Sequence, residues 1–160
     1  MAVINVTSGS QAILVLGNTA PLAVPGAAGS LEVPLVQDLT LSTSPGTVRY
    51  STLDSTASSA FTTVVENEVT FNMLVDDDTF FGDGANTTNS IASDGLWSTS
   101  NGKTEIFFSI AFEGTDSGDY YLTGQGFIGG LAPSASIDQA VWLSPGSITV
   151  NGDLTKSTVS

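Results

Sequence analysis

Apolar and polar side chains alternate along much of the chain with the period of two that a half-buried β-strand requires. The clearest run is VENEVTFNMLV, where Val65, Asn67, Val69, Phe71, Met73 and Val75 share one face and Glu66, Glu68, Thr70 and Asn72 the other; only Leu74 breaks the rule. TEIFFSIAFEG repeats the pattern, with Ile106, Phe108, Ile110 and Phe112 opposite Glu105, Phe107, Ser109, Ala111 and Glu113. TDSG predicts a turn, and DYYLTGQGFIGGL answers as the second strand of a hairpin, with Tyr120 and Leu122 on the face opposite Asp119, Tyr121 and Phe127. IDQAVWLSPGSITVNGDLTK supplies two more strands, burying Ile148, Val150 and Leu154 and turning Thr149, Asn151 and Asp153 outward. A strand also begins at Val36, with Leu39 and Leu41 opposite Asp38, Thr40 and Ser42; SPG at 44–46 predicts its turn, and TVRYST resumes pairing.

Three segments lack that period. Residues 1–36 alternate short apolar runs with Pro21, Pro25 and Pro34, which prevents a helix, yet they are too apolar for a solvated linker. They read as an extended arm seeking a partner surface, with one strand at 11–16, before a single domain over 37–160. Residues 52–63 read as a loop anchored by Leu53 and Phe61. The Gly, Asn, Ser and Thr-rich stretch after Asp76, Asp77 and Asp78 has room for one short helix at 88–97, capped by Asn89 or Ser90, with Ile91 and Trp97 as buried contacts. The expected class is therefore mainly all-β, with one short flanking helix.

Composition narrows the chemistry. The chain has 160 residues, enough for one real core, and no His or Cys, which excludes a Ser-His-Asp triad, a thiolate nucleophile, a disulfide framework and an ordinary zinc site. Sixteen acids against three bases give a formal charge of −13, and Arg49, Lys103 and Lys156 are too few and too scattered to grip nucleic acid. The apolar run at 12–17 is far shorter than the ~20 residues of a membrane helix, and no basic segment precedes it, so synthesis and use without translocation are expected, with no membrane partner.

The acids allow three readings. Asp76, Asp77, Asp78 and Asp83 could offer oxygens to Ca²⁺, but their spacing matches no EF-hand or nonapeptide repeat, and a solvated strand end is the simpler account. A carboxylate pair for glycoside hydrolysis needs two acids ~5–10 Å apart, a distance that sixteen carboxylates on a sheet meet by chance; no enzyme, cofactor or metal is expected. The third reading treats them as one surface. Glu66, Glu68, Glu105, Glu113, Asp119 and Asp153 all fall by parity on the polar side of their strands, and a face of one sign repels a polyanion, so that DNA slides past it.

VRYSTLDSTASSAF, followed by ENEVTFNMLVDDD, resembles the tail tube proteins of long-tailed, non-contractile phages. Thr52, Leu53, Asp54, Ser55, Thr56, Ala57 and Phe61 match that family's loop, and Glu68, Val69, Thr70 and Phe71 its acidic strand. KTEIFFSIAFEG, YYLTGQGFIGGL and SITVNGDLT are similar to its remaining strands, so the resemblance spans about 37–156. SSAFTTVV departs from it, being shorter than the family's linker and uncharged. The resemblance implies a β-sandwich or partial barrel with a flanking helix, assembled as hexameric rings that stack into a virion tail tube in the host cytoplasm. It further implies a lumen lined by the acids above and transient passage of DNA during genome ejection. Tape measure, tail terminator and tip proteins are the implied partners, and Arg49, Leu53, Asp54 and Phe61 the inter-subunit contacts. The rival reading is a self-assembling surface or adhesin-like domain, or a carbohydrate-binding β domain, using aromatics such as Tyr120, Tyr121 and Trp142.

Overall fold

Residues 12–18, 30–33, 36–51, 58–84, 90–112, 114 and 116–159 are described by the structure, a computed structural model. Among them, nine strands join one antiparallel sheet: β1 (Ile13–Gly17), β2 (Leu31–Glu32), β3 (Val36–Tyr50), β4 (Ser59–Leu74), β5 (Glu105–Ala111), β6 (Tyr120–Gly129), β7 (Ser134–Ser136), β8 (Gln139–Val150) and β9 (Thr155–Thr158). The order across the sheet is β2-β1-β5-β6-β8-β4-β3, with β7 on β8 and β9 on β6. Two short helices, α1 (Asp77–Phe81) and α2 (Ile91–Asn101), lie between β4 and β5. The class is the expected one, all-β with a helical flank.

The alternation of β4 and β5 is realised. Val69, Phe71 and Met73 are buried with Ile106, Phe108 and Ile110, and Ile128 and Ile148 join them from β6 and β8. Leu14 and Leu16 reach the same core from β1, the strand expected near 11–16, which lies inside the sheet between β2 and β5. Phe80, Ile91 and Leu96 close the core from the helices. Gly146 is small for a reason: a Cβ there would sit 2.5 Å from the ring of Phe71.

Four local expectations need correction. SPG does not turn the chain. β3 runs straight through it, Pro45 opposite Val65, with an irregularity between Pro45 and Thr47. β3 is the edge of the sheet, where a proline is tolerated because its missing N–H can face away from the ladder, and the extra residue of the irregularity lies on β4, between Thr62 and Val65. Secondly, Phe61 anchors no loop but lies in β4 opposite Val48. Thirdly, the aspartates after β4 do not merely end a strand: Asp76 caps α1, accepting from the Thr79 N–H at 3.3 Å and the Thr79 hydroxyl at 3.2 Å. Finally, α2 is capped by Ser90 as expected, but Leu96 is buried and Trp97 is 47% exposed. Gly95, at φ 74 and ψ 168, interrupts the helical phase and so exchanges the two positions.

β8 also carries a proline, Pro145, in the middle of the sheet. Its pairing with β6 runs from Val150 to Ser147, and its pairing with β7 begins at Leu143. Pro145 falls in the gap between those two partners on one side and pairs with Asn72 of β4 on the other.

Candidate functional site

Register decides which of the acids meet. Ser42 pairs with Glu68, Glu68 with Thr149, Thr149 with Phe127, and Phe127 with Glu105. These five residues form one row across β3, β4, β8, β6 and β5, on the face opposite the buried Val69, Ile148, Ile128 and Ile106. Glu68 and Glu105 are three strand spacings apart in that row, about 14 Å.

One step along the strands, Glu66, Glu68 and Asp153 line a shared depression of ≈630 Å³ with Ser42, Ser44 and Asn151. The Asn151 backbone N–H donates to the Gln125 carbonyl at 2.7 Å, which fixes the chain leaving β8. Its side-chain amide donates to a Glu105 carboxylate oxygen at 2.7 Å. Asn151 thereby links Glu105 to the other three acids, a role that strand parity alone does not reveal. Farther along the same face, Asp38, Thr40, Thr70, Asn72 and Ser147 line a second trough of ≈460 Å³. The surface is thus a strip of carboxylates, hydroxyls and amides, suited to holding a hydration layer and repelling anions.

Asp119 does not join the cluster. It precedes β6, eight positions or about 26 Å from Phe127, and its carboxylate accepts from the Asp116 N–H at 2.9 Å, closing the β5–β6 turn. Glu113, Leu53 and Asp54 lie outside the described residues, as does most of the predicted arm.

The second feature is a hairpin. β4 pairs with β8 only from Glu68 to Leu74, whereas it pairs with β3 from Ser59 to Met73. Residues before Glu68 therefore leave the sheet with β3 as a two-stranded ribbon, about 30 Å long from Glu68 to Ser59. Beyond the register irregularity at Pro45, one face of the ribbon carries Phe61, Val48 and Tyr50, all exposed, with Phe61 at 53% and its ring centroid 6.0 Å from that of Tyr50. Arg49, opposite Ala60, lies on the other face of the ribbon. Of the predicted contact residues, the structure thus places Arg49 and Phe61 on the ribbon. The segment TVRYST carried the signal for Val48 and Tyr50, but the false turn at SPG hid its continuity with β3.

The aromatics invoked for a carbohydrate platform are not together. Tyr120 stacks under the Lys156 ammonium, 3.8 Å from the ring centroid, at the start of β6. Trp142 lies on β8 toward the opposite end of the sheet, roughly 45 Å of strand away.

No protein-family model matches the sequence, and no curated protein matches it. Solved structures do share its fold. A chain from the tail of an empty gene transfer agent particle, determined with helical refinement and C6 symmetry, matches at TM-score 0.61 and 10% identity, over 96% of this chain and 100% of that one. A chain from the virion of a native gene transfer agent particle matches at TM-score 0.62 and 11% identity, with the same coverage. The fold of this protein is therefore one found, end to end, in the protein chains of phage-like particles.

Proposed function

We propose that this protein is a structural subunit of a phage-type tail tube, forming hexameric rings that stack around a channel for DNA. The observation that carries the reading is the fold match over the whole chain to a tail built with C6 symmetry. In this reading Glu66, Glu68, Glu105 and Asp153 face the lumen, and Asp119 serves its turn. Six copies of a −13 chain carry −78 formal charges per ring. Screening over about 8 Å at physiological salt confines the repulsion to the wall, which keeps DNA off the surface without blocking it. The tape measure protein would occupy the same channel before DNA does, and terminator and tip proteins would cap the stack in the virion. No observation favours the adhesin or carbohydrate reading.

Negative-stain microscopy of the purified protein at rising concentration tests the proposal. Hollow tubes or six-fold rings are expected; monodisperse monomers under all conditions would sink it. Arg49 is one of three cations in the chain and sits on the projecting ribbon, where a neighbour's acid can pair with it. Arg49→Glu should raise the concentration needed for assembly several-fold, because a favourable pair becomes a repulsive one at every repeat. Unchanged sedimentation of tubes would remove Arg49 from the contact.

A further inference from the structure

Eight asparagines are spread along the chain, and two of them, Asn101 and Asn151, are followed by glycine. Asparagine is a thermolabile residue. Before glycine it is most open to attack, because glycine has no side chain to shield its own backbone nitrogen or to restrict the approach of that nitrogen to the side-chain carbonyl of the preceding residue. Local sequence makes the two sites equal, and both asparagines are exposed. Only the fold tells them apart.

Asn101 is the last residue of α2. The nitrogen that would attack it belongs to Gly102, whose N–H is donated to the Ser98 carbonyl at 2.8 Å while Gly102 itself sits at φ −74 and ψ −8. The helical turn holds that N–H back along the helix, so reaction must first break a hydrogen bond and unwind the helix end. Asn151 is placed differently. It stands just past β8 with its own N–H donated to the Gln125 carbonyl at 2.7 Å, but Gly152 turns away at φ 93 and its N–H donates to no backbone carbonyl among the described residues. A Cβ on Gly152 would meet nothing within 4 Å, so the space around the attacking nitrogen is open. Asn151 and Gly152 both line the ≈630 Å³ depression beside Glu66, Glu68 and Asp153, which is open to water.

We infer that Asn151 is a self-modification site, at which the native fold leaves the Gly152 nitrogen free to convert the Asn151 amide into a carboxylate. The chemistry needs only water. The Gly152 backbone nitrogen bonds to Asn151 Cγ, the Cγ–Nδ2 bond breaks, and Nδ2 leaves as ammonia with the proton that the Gly152 nitrogen gives up. One water molecule then opens the cyclic succinimide. Attack at the side-chain carbonyl gives aspartate, and attack at the main-chain carbonyl gives isoaspartate, in which the backbone is one carbon longer.

The consequence falls on the strip of acids. The Asn151 amide is the group that donates to the Glu105 carboxylate at 2.7 Å. A carboxylate in its place only accepts, so the donor is lost, two like charges face each other, and the tie between Glu105 and the other three acids becomes a repulsion. Each event adds one negative charge per chain. The reaction belongs to the single folded chain and does not depend on the tube reading.

Ageing the purified protein in mildly alkaline buffer, well below its unfolding temperature, tests the site by ion exchange and by peptide mapping with mass spectrometry. An acidic variant should accumulate with aspartate and isoaspartate at position 151, while Asn101 converts at least ~tenfold more slowly, a factor that one retained hydrogen bond supplies. In denaturant the two sites should convert within about twofold of each other, since the helix no longer protects either. Asn151→Ser should abolish the acidic variant. Equal conversion of Asn101 and Asn151 in the folded protein would overturn the site, as would an acidic variant that persists in Asn151→Ser. An Asn151 that stays intact in the folded protein while the denatured chain converts fully would overturn it as well.

Discussion

Gly95→Ala should lower the melting temperature by about 10 °C. Gly95 adopts φ 74 and ψ 168 inside α2, a region open in practice only to glycine. A Cβ there would lie 2.4 Å from the Gly82 nitrogen, 2.4 Å from the Phe81 carbonyl carbon and 2.7 Å from the Phe80 carbonyl oxygen. All three are backbone atoms of α1 or its cap, so no side chain can rotate away. α1 must lift, and with it Phe80, which is 2% exposed and closes the core. Backbone strain of ~1–3 kcal/mol and overpacking of similar size sum to about 3–4 kcal/mol. In a domain of this length each kcal/mol lowers the midpoint by ~2–4 °C. Gly84→Ala is the control: its φ of 61 is also left-handed, but no atom lies within 4 Å of the new carbon. Calorimetry should show a small shift there, about 1 kcal/mol. Equal losses at the two positions would mean that the contact between α1 and α2 is not what holds Gly95.

On the proposed tube reading, Glu66→Lys with Glu68→Lys should convert a wall that repels DNA into one that binds it. The two substitutions change the charge by four per chain, or 24 per ring of six, all on the depression shared with Asp153. Both positions are solvent-exposed on β4, so the fold should tolerate them. Assembled wild-type tubes should retain no short duplex DNA in 50 mM salt. Variant tubes should retain it, with an affinity that falls steeply as salt rises, because binding releases condensed counterions. Particles carrying the variant should release DNA at least about tenfold more slowly at low salt and recover as screening increases. Unchanged release, with DNA retention also absent, would take Glu66 and Glu68 out of the lumen. The Glu66→Gln and Glu68→Gln pair should fall between the two, since it removes repulsion without adding attraction.

Much of this was legible in the chain because β-strands write their two faces into alternate residues. Val69, Phe71 and Met73 on one side of β4 and Glu68, Thr70 and Asn72 on the other needed no tertiary information, nor did the hairpin of β5 and β6. The Ser90 cap was equally local, since a hydroxyl before a short helix satisfies a nearby N–H wherever the helix goes. SPG misled for the converse reason. Its local chemistry is that of a turn, and only the edge position of β3 allows Pro45 to lie in a strand without losing a ladder bond. Trp97 misled because the conformation of Gly95 is set by its backbone contact with Gly82, thirteen residues away.

The sequence by itself determined the all-β class, the two faces of the long strands and the sign of the polar one, because these depend on side-chain period and charge alone. The tertiary structure decided which acids share a surface. Glu66, Glu68 and Asp153 meet, and Asn151 ties Glu105 to them, because the register of β4, β8, β6 and β5 brings distant stretches level. Asp119 has the same parity but lies eight positions along β6 from that row. Likewise, only the strand pairing shows that β4 outruns β8 and leaves Phe61 and Val65 exposed on the ribbon. Parity is a property of one strand, whereas register and strand overhang are properties of the whole sheet.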